Sequence, residues 1–294
     1  MPPTLDTPTV PDDATLAAIH ALIATIAAGD GRDPLSDQAL SHLTSPAVDH
    51  AIARDGARVV GYAQLDGRSL EIAAEPGAAG ELLDAFAGVP VLIWSHGRRS
   101  RLRGMLADRG FVAERELYQL RRSLADPADA PDAPEGVAIR PFVVGKDEDA
   151  WLAVNRAAFA HHHEQGAWTR ADLAAREGES WFDPSGFLMA WRGDDLLGFH
   201  WTKIHPDGAG EVYVLGVDTS AQGLGLGDVL LRRGLAHLRA RGCPDVLLFV
   251  DGDNAGAMRL YERAGFERHD LDVQWAAGAD APDGQSSEGS VSNT

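Results

Sequence analysis

Glu211-Val-Tyr-Val-Leu-Gly-Val-Asp218, followed by Gln222-Gly-Leu-Gly-Leu-Gly227, decides how this chain is read. Apolar residues dominate the first stretch, which predicts a buried strand; glycine at every second position of the other predicts a turn that holds an anion on its main chain. Gly223, Gly225 and Gly227 lack the Cβ atoms that would keep phosphate oxygens from converging amides. Beyond the turn, Leu231, Gly234, Leu235 and Leu238 recur at helical spacing, with Arg232, Arg233, Arg239 and Arg241 off that stripe. A helix is therefore expected to start inside the turn and to add its positive dipole end to the anion site.

Two rival phosphate motifs are excluded. The turn carries no Gly-Lys-Ser/Thr for a P-loop, and the strand is not the first of a βαβ unit with an acidic residue about twenty positions on. Instead the chain continues into a second strand over 245–251 and then a helix capped by Asp253 or Asn254 and stopped by Gly265. Ala257, Leu260, Tyr261 and Ala264 would share one of its faces.

The set Gln222-x-x-Gly-x-Gly227, Asn254 and Leu260-Tyr-x-x-x-Gly-Phe266 resembles the cofactor motifs of the GCN5-related N-acetyltransferases. The resemblance implies an α/β (α+β) fold in which a mixed central sheet is flanked by helices, and acetyl-CoA as co-substrate. It implies that Leu215, Gly216 and Val217 offer backbone hydrogen bonds to the pantetheine arm and thioester. Gln222, Gly223, Leu224, Gly225, Leu226, Gly227 and Asp228 would hold the pyrophosphate, with Asn254, Ala255, Gly256, Ala257, Met258 and Arg259 completing the cofactor site. A tyrosine at the position of Tyr261 protonates the departing thiolate.

A narrower resemblance, to the tandem members of that family that form the bacterial thiol mycothiol, runs along most of the chain. It is carried by Asp30-Gly, Pro34-Leu-Ser-Asp-Gln38, Ala158 to Gly166, Trp181 to Phe187 and Gly198-Phe-His-Trp-Thr-Lys203. It implies two acyl-CoA N-acyltransferase domains and acetylation of the cysteine amine of cysteinyl-glucosaminyl-inositol. Asp37, Glu164, Lys203 and Glu211 would contact that acceptor. Phe249 stands where those proteins carry a tyrosine, which removes one hydroxyl from the acceptor site.

The halves divide at Ala125-Asp-Pro-Ala-Asp-Ala-Pro-Asp-Ala-Pro-Glu-Gly136, a stretch that buries nothing and runs extended. The expected domains are 1–125 and 137–277, joined by the linker 126–136, with a small-residue, polar tail over 278–294 expected to be disordered. They read as distant repeats. Arg58-Val-Val-Gly-Tyr parallels Asp195-Leu-Leu-Gly-Phe, and Leu106-Ala-Asp-Arg-Gly-Phe111 parallels Tyr261-Glu-Arg-Ala-Gly-Phe266. In the first half the glycine turn shrinks to Glu75-Pro-Gly-Ala-Ala-Gly80 and Leu106 replaces the tyrosine. Loss of catalysis there, with a scaffold role, is expected.

Amide formation requires that the acceptor ammonium lose a proton, and Glu211 begins the strand that ends at 215–217. At ~3.3 Å per residue, four positions span roughly 13 Å, so one or two waters should relay the proton. The amide near Val217 would serve the oxyanion if the strand bulges from its neighbour. Tyr261, about two turns into its helix, is the acid. Transfer is expected to be direct, within a ternary complex.

A net charge of −18, from 44 acidic and 26 basic residues, excludes a nucleic-acid surface and leaves the cofactor to local cations such as Arg259. Hydrophobic residues at 45% suffice for two cores. The lone cysteine, Cys243, is expected to be a packed thiol. No apolar run approaches the ~20 residues of a membrane span, so a cytoplasmic monomer is expected. His161-His-His163-Glu164 lacks the i, i+4 spacing of helical zinc pairs, so no metal is expected. Trp168, Trp181, Phe182, Phe187, Trp191 and Trp201 read as core and cleft lining. Alternatives that remain are another primary amine as acceptor, such as a protein N-terminus or an aminoglycoside, and a non-catalytic acetyl-CoA-binding protein.

Overall fold

Caps and side-chain periodicity set the elements locally. The computed structural model describes residues 3–125, 131–160 and 165–278. In chain order the first elements are β1 Thr4–Asp6, α1 Asp13–Asp30, α2 Asp37–Ser41, β2 Asp49–Asp55, β3 Arg58–Asp66, β4 Ser69–Ala74, α3 Ala79–Ala85, β5 Leu92–Ser95, α4 Leu102–Asp108 and β6 Phe111–Ser123. They are followed by β7 Ala138–Pro141, α5 Glu148–Ala158, α6 Arg170–Glu177, β8 Phe187–Arg192, β9 Asp195–Ile204, β10 Gly210–Val217, α7 Leu226–Ala240, β11 Asp245–Asp251, α8 Ala255–Arg263 and β12 Glu267–Ala277.

Contacts divide the chain into two units, and not at the proline-rich stretch. One takes the chain up to Tyr118, Asp251–Asp253 and everything from Asp270; the other takes Gln119–Val250 and Asn254–His269. The expected domains, 1–125 and 137–277, therefore differ from these units at two strands. The end of β6 groups with the second unit and most of β12 with the first. Linker residues 126–130 and tail residues 279–294 lie outside the described residues.

In the first unit the strand order is β1-β2-β3-β4-β5-β12. Each recorded pairing there is antiparallel except β4 with β5. Asp12 accepts the Thr15 amide at 2.8 Å and opens α1, which packs Ile19, Leu22 and Ile23 against Ile52, Val59 and Tyr62. With 18 residues and a mean hydropathy of 1.2, α1 has the length and composition of a minimal membrane span, contrary to the expectation that no run comes near one. Its buried stripe packs on the sheet. The opposite face holds Leu82 and Leu83 of α3 and Leu106 of α4 against Ala53, Val60 and Leu70.

A buried ionic cluster closes this unit. Glu71 on β4 accepts the amide and hydroxyl of Ser36, each at 2.6 Å. His96 lies 3.3 Å from Glu71 and 3.2 Å from Asp272 of β12, and Arg32 reaches Asp272 at 3.0 Å. Burial alone would pull the imidazolium down, but its hydrogen bonds and charge contacts with Asp272 and Glu71 outweigh that and lift His96 to about 9.

In the second unit β11-β10-β9-β8-β7 form the sheet, with β6 beside β11. Here β10 and β11 are the parallel pair. Phe187, Phe199, Trp201 and Val214 face Trp151 and Val154 of α5, whereas Ala190, Leu197, Leu215 and Val217 pack with Leu226 and Leu230 of α7. The expected α7 stripe of Leu231, Gly234, Leu235 and Leu238 is fully buried. Cys243 is buried just after that helix, and burial pushes its thiol up.

Candidate functional site

Strand β10, which begins one residue before Glu211, has two neighbours and leaves one of them. It pairs with β9 from Gly210↔Ile204 to Val217↔Gly198, but its register with β11 runs only over Gly210↔Val246 and Glu211↔Leu247. Beyond Glu211 the edge of β10 that faces β11 is open. The expected bulge at 215–217 lies elsewhere: the register slips between Val212 and Val214, so Tyr213 is the extra residue, and both Tyr213 and Val214 turn into the aromatic cluster. Parting of two parallel strands, rather than a bulge at Val217, exposes the amides there.

From the open end of β10 the chain makes a short 3-10 turn over Thr219–Ala221 and enters the glycine turn. Gly223 and Gly225 have φ of 82° and 72°, in the left-handed region that a side chain would strain. Gly225 caps α7 without a side chain. Among the described residues, no amide from Gly223 to Gly227 donates to a protein acceptor. A Cβ on Gly227 would meet Leu260 at 3.7 Å and Val217 at 3.8 Å, which joins the ends of β10, α7 and α8 around one cradle. Such a run of unsatisfied amides at a helix start has the chemistry to take an anion. Leu224 projects outward, 42% exposed. Asp228 sits in the first turn of α7 but is paired with Arg232 at 2.9 Å. Arg259 of α8 is exposed and makes no ion pair among the described residues.

Asn254, not Asp253, caps α8, its side chain accepting the Ala257 amide at 3.0 Å. Met258 and Tyr261 are the buried residues of that helix, so Met258 joins the inward face expected for Ala257 and Leu260. Gly265 adopts the left-handed stop at φ 82°. Tyr261 is 8% exposed, edge-on to Phe266 at 5.8 Å, and burial raises its phenol well above the ordinary tyrosine range. It stays a neutral O–H donor through the working pH range.

Glu211 is buried on the aromatic face of β10. It stands directly across from Lys203, whose Nζ is 4.0 Å from Oε2, and His205 Nε2 approaches the same oxygen at 2.8 Å. The Lys203 ammonium also sits 5.1 Å from the Trp181 ring and 5.6 Å from Tyr213. Trp168 and Trp181 pack edge-on to Tyr213, with centroids 6.5 and 4.9 Å away. Trp201 and Phe187 are fully buried, and Trp191 lies under Arg140 at 4.7 Å. The aromatic set thus packs as core, with Trp168, Trp181, Phe182 and Trp191 partly buried against it.

Of the other expected acceptor contacts, Phe249 is 38% exposed on β11. Asp37 is exposed at the first position of α2, in the other unit. Glu164, with His161 to His163, lies outside the described residues. Sequence reasoning missed His205 and Tyr213. The signal for His205 was available in His205-Pro-Asp-Gly208, a turn between two strands that returns Glu211 to Lys203. In the first unit, the turn at Glu75 leads into α3, Glu75 is held by Arg58, and Leu106 is wholly buried.

Residues 151–266 match the Acetyltransferase (GNAT) family. A mycothiol acetyltransferase of Geodermatophilus obscurus is 46% identical over 292 residues, covering 90% of this chain and 94% of that protein. The mycothiol acetyltransferase of Streptomyces coelicolor is 44% identical, covering 88% and 90%. Among solved structures, a GCN5-related N-acetyltransferase from Sphaerobacter thermophilus superposes with a TM-score of 0.72 at 23% identity, over 94% of this chain and 97% of that one. A tandem GNAT protein from the clavulanic acid biosynthesis pathway gives 0.68 at 20% identity, over 94% and 99%. Likeness over nearly the whole length makes the fold a tandem one.

Proposed function

Because the chain belongs to the mycothiol acetyltransferases, within the GCN5-related N-acetyltransferases, we propose that its second unit moves acetyl from acetyl-CoA to the cysteine amine of cysteinyl-glucosaminyl-inositol. The observation that carries this reading is the parting of β10 from β11 after Glu211, followed by five unpaired amides at the start of α7. A thioester arm fits the first and a pyrophosphate the second. When bound, acetyl-CoA supplies the activated acyl group.

The chain's own residues do the rest. Backbone amides between Leu215 and Val217 align the arm and take up the charge that grows on the carbonyl oxygen. The cradle from Gln222 to Asp228 holds phosphate, with Asn254 to Arg259 beside it and Arg259 adding charge. Glu211, through one or two waters, accepts a proton from the acceptor ammonium. Tyr261 gives its phenolic proton to the leaving sulfur, and the second proton that the acceptor nitrogen loses as the amide forms passes through water to restore the phenol. Lys203, Glu211 and, in our assignment, Asp37, Glu164 and Phe249 contact the acceptor.

The first unit serves as scaffold, since its turn carries Glu75 and its counterpart of Tyr261 is Leu106. Domain boundaries for the two repeats follow the assignment 1–125 and 137–277, and we place the protein in the cytoplasm as a monomer. Mass spectrometry of reactions with acetyl-CoA and a panel of amines tests the proposal. Selective acetylation of the cysteinyl acceptor supports it; preference for an aminoglycoside or a peptide N-terminus, or no transfer at all, refutes it.

A further inference from the structure

We propose that His205 is a positioning residue for the reaction: it holds Glu211 by one oxygen and thereby presents the other to the water that relays the acceptor's proton. This rests on the reading of Glu211 as the base. The carboxylate has two candidate partners, and distance separates them. His205 Nε2 is at 2.8 Å from Oε2, a hydrogen bond, whereas Lys203 Nζ at 4.0 Å is not and lies over the Trp181 and Tyr213 rings. An ionised carboxylate only accepts, so Nε2 carries the hydrogen. Oε1 makes no hydrogen bond among the described residues and is left for water.

The main chain that carries the imidazole is itself held. Its residue opens the hairpin between β9 and β10, where the His205 amide donates to Ala209 at 2.9 Å and the Gly208 amide donates to His205 at 2.9 Å. Asp207 accepts the Ala209 amide at 3.0 Å and stiffens the same turn. The His205 side chain is 24% exposed against 10% for Glu211, so the ring lies on the outer side of the base. The base is thus held from a hydrogen-bonded turn by one N–H donor, which fixes its rotamer.

Removing a donor from a carboxylate favours its protonated form, so loss of His205 moves the acid limb of the rate profile to higher pH. Other charged or titratable groups near the base are Lys203 on β9, Tyr213 on β10 and, beyond Tyr213, Arg176 in the last turn of α6 and Glu179 just after that helix. All remain in a His205 variant.

The test is kcat and KM against pH for the full chain and for His205→Ala and His205→Gln, with acetyl-CoA affinity by calorimetry as the measure of folding. The alanine variant is expected to lose about tenfold to a hundredfold in kcat, with acceptor KM and acetyl-CoA affinity within about threefold and an upward-shifted acid limb. Glutamine, which keeps a donor, is expected to restore most of the rate and the original limb. An alanine variant within about twofold of the parent, an unmoved limb, or a glutamine variant as slow as alanine overturns the proposal. If His205→Ala fails to bind acetyl-CoA, His205→Gln decides alone: parent-like rate and limb support the role, and loss refutes it. Failure of the parent to acetylate the acceptor, or a Glu211→Gln enzyme at full rate, instead removes the reading beneath it.

Discussion

At the residue scale the two proposed proton-transfer groups are prepared in opposite ways. Glu211 keeps a charged and hydrogen-bonded surrounding from Lys203 and His205, while Tyr261 is buried beside Phe266 and burial keeps its phenol protonated. Glu211→Gln and Tyr261→Phe are each expected to lower kcat by about 10² to 10⁴, with the Kd for acetyl-CoA unchanged; steady-state rates alongside calorimetric titration check both. The places of Glu211 and Tyr261 were legible, one at the head of a strand and one in a capped helix. For His205 the turn His205-Pro-Asp-Gly208 was readable, but its contact with Glu211 was not, because that contact arises from a cross-strand register that only the folded hairpin establishes. Asp253 and Asn254 were indistinguishable as caps by residue type, and the backbone chose the second.

Among the elements, α7 and its turn are most exposed to change at Gly225. Its φ of 72° lies at the helix entrance, so Gly225→Ala costs about 1–2 kcal/mol of backbone strain and displaces the amides that start the helix. Gly242, at φ 87° after the other end of α7, provides the control. Both alanine variants should lower Tm, and only the Gly225 one should weaken acetyl-CoA binding; equal affinities would detach the turn from the cofactor. The helices were readable from the apolar stripe of Leu231, Leu235 and Leu238. The slip at Tyr213 was hidden, because a run such as Glu-Val-Tyr-Val-Leu-Gly-Val alternates well enough in any register.

For the molecule as a whole, the ionic cluster around His96 links stability to pH. Its folded value of about 9 exceeds the unfolded one near 6.5, so its contribution is full below about 6.5 and is lost as pH rises through 9. Glu71 and Asp272 are shifted the other way: burial raises them, but His96 and their other partners hold both carboxyls below the usual range. Their contribution is present above about pH 4 and fades as pH falls. Thermal melts across pH should therefore peak between about 5 and 6.5, and Asp272→Asn should lower stability by about 3–5 kcal/mol and flatten the alkaline limb. An alkaline limb unchanged in that variant would exclude the cluster as its cause.

Fragments at the expected domain limits are predicted to fail for a related reason. A piece ending at residue 125 lacks the Asp270–Ala277 portion of β12, and a piece starting at 137 lacks Gln119–Ser123. Co-expression of 1–125 with 126–294 should restore a soluble pair, measured by co-purification. That exchange was illegible in the sequence, where the proline-rich linker is the plainest boundary and nothing marks a strand as belonging to the earlier half.

The placement of Asp272 also orders events at the ribosome. An amino-terminal unit is ordinarily free to complete itself while the remainder of the chain is still being made, but here its interior histidine has only one of its two carboxylates until the final described strand is translated. The half that is synthesised first is thus the half that must finish last, and a nascent chain stalled before residue 270 would carry it open.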